Sequence, residues 1–369
     1  MEETEKIIQN VSVHTIKKIQ MIASYVVGWS QKLVNYRECK ELVFIDCMSN
    51  SGEYYSSNNK IKGTPVRVAE ILNEVATKHP DKMIRLIFND YNKEKIEHLR
   101  NLLPADMQNF KIETNSSNAN ILLKNIGRNL IKNNNCHILL IYDPYDASID
   151  WDAIEPFLNC WGEIIINHMV SDSIRGVKES KSQKARNKYE KTYQESIEQL
   201  ILSGNSRQVY EQRIKEIIMQ LNHNKKCYIA SFPFFNSKNA LLYNLIFVTK
   251  NIKGFRLFKT TAWKTFGGQS SNKKLKDLYQ YSLNLDSDEC DSLIYNVDEN
   301  CYTILNVCDY IRFHYKGELG VPLVDIWNLL DNHPIFPSEG FRTEIKRELK
   351  NDSSIKVKRD TIDFREKET

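Results

Sequence analysis

Three carboxylates sit where apolar runs end. Asp46 closes the run from Leu42, Asp90 closes the run from Met83, and Asp143 follows the run from Cys136 to Tyr142. An acid at the carboxyl end of a parallel strand is placed to hold hydroxyls or amines of a nucleotide-like ligand, and Asp90 is suited to the two ribose hydroxyls of an adenosine cofactor. Behind Asp46 come Ser49, Asn50, Ser51 and Gly52, residues small enough for a ligand to approach the backbone. These features also read as ordinary turns, because Asp, Asn, Ser and Gly are favoured there for local reasons.

The most specific local pattern is Asp143, Pro144 and Tyr145, within Ile141 to Asp146. An acid, a proline and an aromatic at a strand end make a rigid, exposed shelf over the reactive end of a cofactor. Amino-methyltransferases carry an acid-or-Asn, Pro, Pro, aromatic version, whose polar group accepts from the target amine while the aromatic stacks on the base. Here the second proline is absent, and a turn with φ fixed by Pro144 reads equally.

Two clusters are basic. Residues 175–191 hold seven Lys or Arg against two acids, a local charge of +5. Arg175, Lys184, Arg186 and Lys188 are the candidates there for a phosphate backbone, and a solvated helix face is the plainer reading. Further along, Arg342, Lys346 and Arg347 lie on a helix-like stretch, with Lys356, Lys358 and Arg359 beyond it. A winged helix touches DNA at such positions; a protein-interaction module reads as well.

The elements that must position these groups follow from periodicity. Residues 12–36 carry a helical stripe of Ile16, Ile19, Ile22, Ala23, Val26, Val27 and Trp29. Short apolar runs at 42–46, 83–90, 136–142 and 162–169 then alternate with helix-like stretches at 65–78, 92–103 and 118–132. Runs apolar on both sides point to a parallel sheet covered by helices. After a helical insertion at about 170–222, the runs 227–235 and 243–251 are close enough to form an antiparallel edge hairpin. The expected fold is α/β: a Rossmann-like, class I methyltransferase-type domain over 1–285, with helices on both faces. Acid-rich residues 286–300 then lead into a second module over 286–369, read as helix, helix and wing.

Composition sets broad bounds. The chain has 369 residues, 41% of them hydrophobic and 27% charged, with a net charge of +4 that neither demands nor excludes nucleic acid. Its eight cysteines form no Cys-x-x-Cys pair, so no metal site is expected and reduced thiols are the plain reading. The N-terminus is acidic and polar, unlike a signal peptide, and no run reaches membrane-span length. A soluble, cytoplasmic protein is expected.

Taken together, the pieces resemble the three-Cys-motif partner (TcmP) family, methyltransferase-like proteins encoded beside a radical-SAM-like three-Cys-motif protein. The similarity covers Val13 to Trp29, Phe44 to Tyr54, Gly63 to Ala69, Ile141 to Asp146, Tyr243 to Trp263 and the C-terminal module. The resemblance implies S-adenosylmethionine (SAM) as cofactor, held by Asp46, Asn50, Ser51, Gly52, Asp90, Ser116 and Asn118. Asn50 stands where the family has a loop glycine, and Ser116 where it usually has an adenine-binding Asp. A nucleic-acid acceptor, a three-Cys-motif partner protein and a setting in phage defence follow as expectations. A catalytically degenerate adaptor is the alternative, and a nicotinamide dehydrogenase is disfavoured because the loop lacks its glycine pattern.

Overall fold

A computed structural model describes residues 7–57, 59–130, 135–179, 181–204, 206–274 and 300–365. A short strand β1 (Gln9–Asn10) precedes α1 (Val13–Val34), whose first turn is capped by Ser12 accepting from the Thr15 N–H. The first half of the sheet region then runs β2 (Glu41–Asp46), β3 (Glu53–Ser56), β4 (Asn59–Lys62), α2 (Thr64–Lys78), β5 (Met83–Asn89), α3 (Lys93–Arg100), β6 (Phe110–Asn115) and α4 (Ala119–Leu130). The second half runs β7 (Cys136–Tyr142), α5 (Trp151–Leu158) and β8 (Gly162–His168), then four helices: α6 (Val170–Glu179), α7 (Gln183–Tyr193), α8 (Ile197–Leu202) and α9 (Arg207–Leu221). The hairpin β9 (Tyr228–Phe235) and β10 (Leu241–Thr249) leads into α10 (Ile252–Thr265).

Seven of these strands form one sheet in the order β6-β5-β2-β7-β8-β10-β9. The first five are mutually parallel, and β10 runs antiparallel to both β8 and β9. A parallel sheet with a reversed strand tucked in near one edge is the methyltransferase-like Rossmann arrangement. Strand order reverses between β2 and β7, so Asp46 and Asp143 flank the switch point where ligands of such sheets bind.

Alternation along each strand feeds two cores. Leu42 and Phe44 face a cluster with α1, α2, α3 and α10, while Val43 and Ile45 face one built with α4 to α9. The edge strand β6 was absent from the periodicity reading. Its Lys111 and Glu113 are exposed, so it lacks the continuous apolar run of its buried neighbours. The stretch after Asp46 also holds more than a loop: β3 and β4 pair as a hairpin, with β1 parallel to β3.

Beyond residue 300 come α11 (Ile304–His314), β11 (Val321–Pro322), α12 (Leu323–Asn332), α13 (Arg342–Lys350), β12 (Ile355–Val357) and β13 (Thr361–Phe364). The strands form a small antiparallel sheet in the order β11-β13-β12. The expected helix pair and strand pair are present, and α11 and β11 are additions. The expected boundary at 286 and most of the acid-rich stretch lie outside the described residues.

One face of α10 ties this segment to the main sheet. Arg256 pairs with Asp331 at 2.8 Å, the Thr260 hydroxyl donates to the Glu339 carbonyl, and the Trp263 indole N–H donates to the Ile335 carbonyl. Between them Lys259, fully buried, donates to the carbonyls of Leu330, Asp331 and His333 at 2.7–3.1 Å, where α12 ends. Burial pushes its ammonium down to about 7, against which the Asp331 charge acts; the three carbonyls likewise favour the charged form. Lys259→Met keeps the volume and strands those carbonyls, so a loss of about 2–4 kcal/mol in denaturant unfolding is expected. Wild-type stability would refute this clasp.

Among the described residues no helix is long and apolar enough to cross a membrane. Among the described residues no two cysteines are joined in a disulfide.

Candidate functional site

Parallel register brings the ends of β5, β2 and β7 side by side, with Phe88 beside Asp46 and Asp46 beside Ile141. Asp46, Asp90 and Asp143 therefore collect at one end of the sheet. Asp46 is 4% exposed and accepts from the Met48 N–H at 3.3 Å. Burial pushes its carboxyl up to about 7, the Asp143 charge adds to the rise, and the Met48 N–H and Lys18 oppose it. This end of the sheet would favour a cation.

The loop after Asp46 keeps a glycine-loop shape with one glycine. Asn50 has φ 58° and Gly52 φ 81°, both in the left-handed region. Asn tolerates that region better than other residues with a Cβ, so Asn50 can hold this turn without a glycine. Its side-chain oxygen accepts from the Ser51 N–H at 2.8 Å, and its amide reaches Gln9. Gly52 has no such latitude, because a Cβ there would lie 2.6 Å from Leu99 Cδ1.

Asp90 holds this loop. One carboxylate oxygen accepts from the Asn50 N–H at 3.0 Å and the other from the Asn92 N–H at 2.9 Å. Both oxygens thus have a backbone donor, and a ribose would have to use the remaining lone pairs of a side chain only 2% exposed. Asn89, unremarked in the sequence, joins three loops: its amide donates to the carbonyls of Cys47 and Ser117, and its side-chain oxygen accepts from Ser117. Ser116 and Asn118 lie on the exposed rim. The Ser116 hydroxyl reaches the Tyr91 carbonyl, and Asn118 caps α4 by accepting from the N–H groups of Asn120 and Ile121.

Asp143 is the focus of a network that spacing could not reveal. Its Oδ2 is paired with the Lys18 ammonium, 125 residues away in sequence, and its Oδ1 accepts from the Asn167 amide. Lys18 also lies 5.4 Å from the Tyr243 ring centroid. A cation from α1 is thus held between a carboxylate and an aromatic face. Pro144 is buried, and Tyr145 projects with 66% exposure. The Tyr145 hydroxyl accepts from Lys95 at 3.4 Å.

The two basic clusters differ. Arg175 pairs with Asp172, Arg186 with Glu198, and Lys188 with both Asp146 and Asp172, so three of the seven cations are engaged, while Lys178, Lys181 and Lys191 are exposed without an ion pair among the described residues. Lys184 is exposed. On α13, Arg342 and Lys346 lie over the Trp327 ring at 5.2 and 5.9 Å, with Arg347 and Lys350 exposed beside them. No carboxylate pairs with these four among the described residues. Lys350 had not been singled out, and its i+4 spacing from Lys346 puts it on the same stripe.

No protein-family model and no curated protein matches the chain. Among solved structures it is similar to Trm1 from Pyrococcus horikoshii in complex with S-adenosyl-L-methionine, at 14% identity and TM-score 0.36 over 63% of this chain; it spans 55% of that chain. It is similar to an O-methyltransferase from Bacillus cereus in complex with SAH at 13% identity and TM-score 0.34, over 65% of this chain and 83% of that one. Spermidine synthase from Thermotoga maritima gives 13% identity and TM-score 0.31, over 72% of this chain and 67% of that one.

Proposed function

We propose that this chain is a SAM-dependent methyltransferase acting on an amine of a nucleic acid. The observation that carries the reading is Asp143: at the switch point, beside the buried Asp46, it already holds an amine-bearing side chain. Once the Lys18 ammonium moves aside, the same carboxylate can accept an N–H of an acceptor's neutral amine, with Asn167 fixing its orientation. The donor set fits the cofactor. Asp46 would face its cationic amino-acid end, and the Asn50 to Gly52 backbone would pass close to it. Asp90 would hold the loop and offer its remaining lone pairs to the ribose. SAM would supply an activated methyl group, so these residues have mainly to position the acceptor. Tyr145, exposed beside Asp143, would stack on the acceptor base.

The segment 300–365, with its three helices and small antiparallel sheet, we read as a winged helix whose α13 stripe of Arg342, Lys346, Arg347 and Lys350 contacts phosphates. The family resemblance adds a three-Cys-motif partner protein and phage defence to the proposal. The adaptor reading is favoured by one observation: Asp90 and Asp143 have all their carboxylate oxygens engaged within the chain.

SAM titration at several pH values separates the two. Asp46 begins at about 7 and is mostly protonated below that. A cationic ligand favours its carboxylate, so binding between pH 6 and 7 releases up to one proton and tightens as pH rises. The expected gain is up to about fivefold over that unit, flattening above pH 7 and absent in Asp46→Asn. Calorimetry in buffers of different ionisation enthalpy counts the proton. No binding at millimolar SAM would remove the methyltransferase reading and leave the adaptor.

A further inference from the structure

A cavity of about 810 Å³ opens at the other end of the sheet. It is lined by His137 at the start of β7, by Gly162 at the start of β8 and by Thr249 at the end of β10. The length of β7 alone puts it about 20 Å from Asp143. Its volume falls in the range of about 300–1,000 Å³ usual for small-molecule sites.

Its lining is aromatic and charged. Tyr36 and Trp161, 50% and 58% exposed, flank His137 with ring centroids 6.0 and 6.5 Å away. Large rings left this open within a concave wall offer stacking faces for a planar ligand. Lys32, Lys250 and Lys253 also line the cavity, and none of them forms an ion pair among the described residues. Arg256 does not add to them freely, since it pairs with Asp331. On the acidic side, Glu38 and Glu339 also line the cavity. Glu163 is held by the Tyr25 and Thr249 hydroxyls at 2.6 and 3.0 Å, and burial pushes it up to about 7, so it is only partly ionised near neutrality. The lining is close to neutral overall, so an anion would be held by the three unpaired ammoniums and not by net charge.

We propose that this cavity binds a nucleotide through its base and its phosphate, either a free mononucleotide or the end of a nucleic-acid chain. Trp161 and Tyr36 would take the base, and the three lysines the phosphate. The site is independent of the methyltransferase reading, because it shares no residue with the Asp46–Asp143 end of the sheet.

The test titrates the full chain with AMP and ATP, then with a short 5′-phosphorylated oligonucleotide and its 5′-hydroxyl twin, by tryptophan fluorescence and calorimetry. Saturable binding is expected, weakened at least about tenfold by Trp161→Ala and largely retained by Trp161→Phe. Lys250→Ala with Lys253→Ala should weaken binding and flatten its salt dependence. Melting curves of these variants establish that they are folded, and their affinity for S-adenosylhomocysteine should be unchanged. Binding of mononucleotides alone identifies a free-nucleotide site; binding of the phosphorylated oligonucleotide alone identifies a chain-end site. No saturable binding up to about 5 mM of any of them, or binding that ignores both sets of substitutions, overturns the proposal.

Discussion

Asp143→Ala is expected to lower methyl transfer to a nucleic-acid acceptor by about 10²–10⁴-fold at saturating cofactor, while SAM affinity changes little. The expectation follows from where the carboxylate sits. Asp46, not Asp143, is the acid followed directly by the loop proposed to hold the cofactor, whereas Asp143 faces Lys18 and Asn167. A group that orients the acceptor amine acts on turnover, so kcat should fall at fixed SAM affinity. The substitution also leaves Lys18 without its partner. Lys18 is 14% and Asp143 26% exposed, so solvent limits that structural cost to about 1–2 kcal/mol. Asp143→Asn keeps a polar group for Asn167 and should lose activity with less effect on stability. Acceptor binding should respond elsewhere: Arg342→Ala, Lys346→Ala and Lys350→Ala together should reduce the salt slope of nucleic-acid affinity by about 2–3. Transfer rates in Asp143→Ala within threefold of wild type would sink the assignment of Asp143.

How far the sequence could lead depended on whether a signal was local. Buried parallel strands are apolar on both faces, so β2, β5, β7 and β8 stood out, the first three with an acid at their ends. The β9–β10 hairpin was readable for the same reason. Strand β6 was lost because an edge strand with polar alternation resembles a surface loop. The partners of Asp143 were invisible because Lys18 looks like any polar-face lysine of α1, and only the fold carries it across 125 residues. Asn89 hid for a related reason: at a strand end it passes for a turn residue, yet its side chain joins the β2, β5 and β6 loops. The basic run at 175–191 was legible only as a count of charges. Asp146, Asp172 and Glu198 come in from outside the run to pair with Arg175, Arg186 and Lys188, which spacing along the chain does not show.

Gly52→Val should be the most damaging single change in the loop after Asp46. Two costs combine at this position. With φ 81° the backbone lies in the left-handed region, which disfavours side chains generally and β-branched ones most, by about 1–2 kcal/mol or more. A Cβ would also lie 2.6 Å from Leu99 Cδ1 and 2.9 Å from Val66 Cγ2, both on buried side chains, adding about 1–3 kcal/mol of overpacking. Relaxing the clash by moving the backbone disturbs a second contact, because the Gly52 carbonyl accepts from the Gly63 N–H at 2.7 Å. That bond sets the entry to α2, so the damage extends from the loop into the helix packed beside it. A total of about 2–5 kcal/mol is expected in denaturant unfolding, with SAM binding lost in whatever folded fraction remains. Asn50→Gly is the matching control. It can keep φ 58° without strain and gives up the side-chain bond to Ser51, so it should stay within about 1 kcal/mol of wild type. If Gly52→Val melts and binds like wild type, the loop does not need its left-handed turn, and the cofactor-loop reading of Asn50 to Gly52 falls with it.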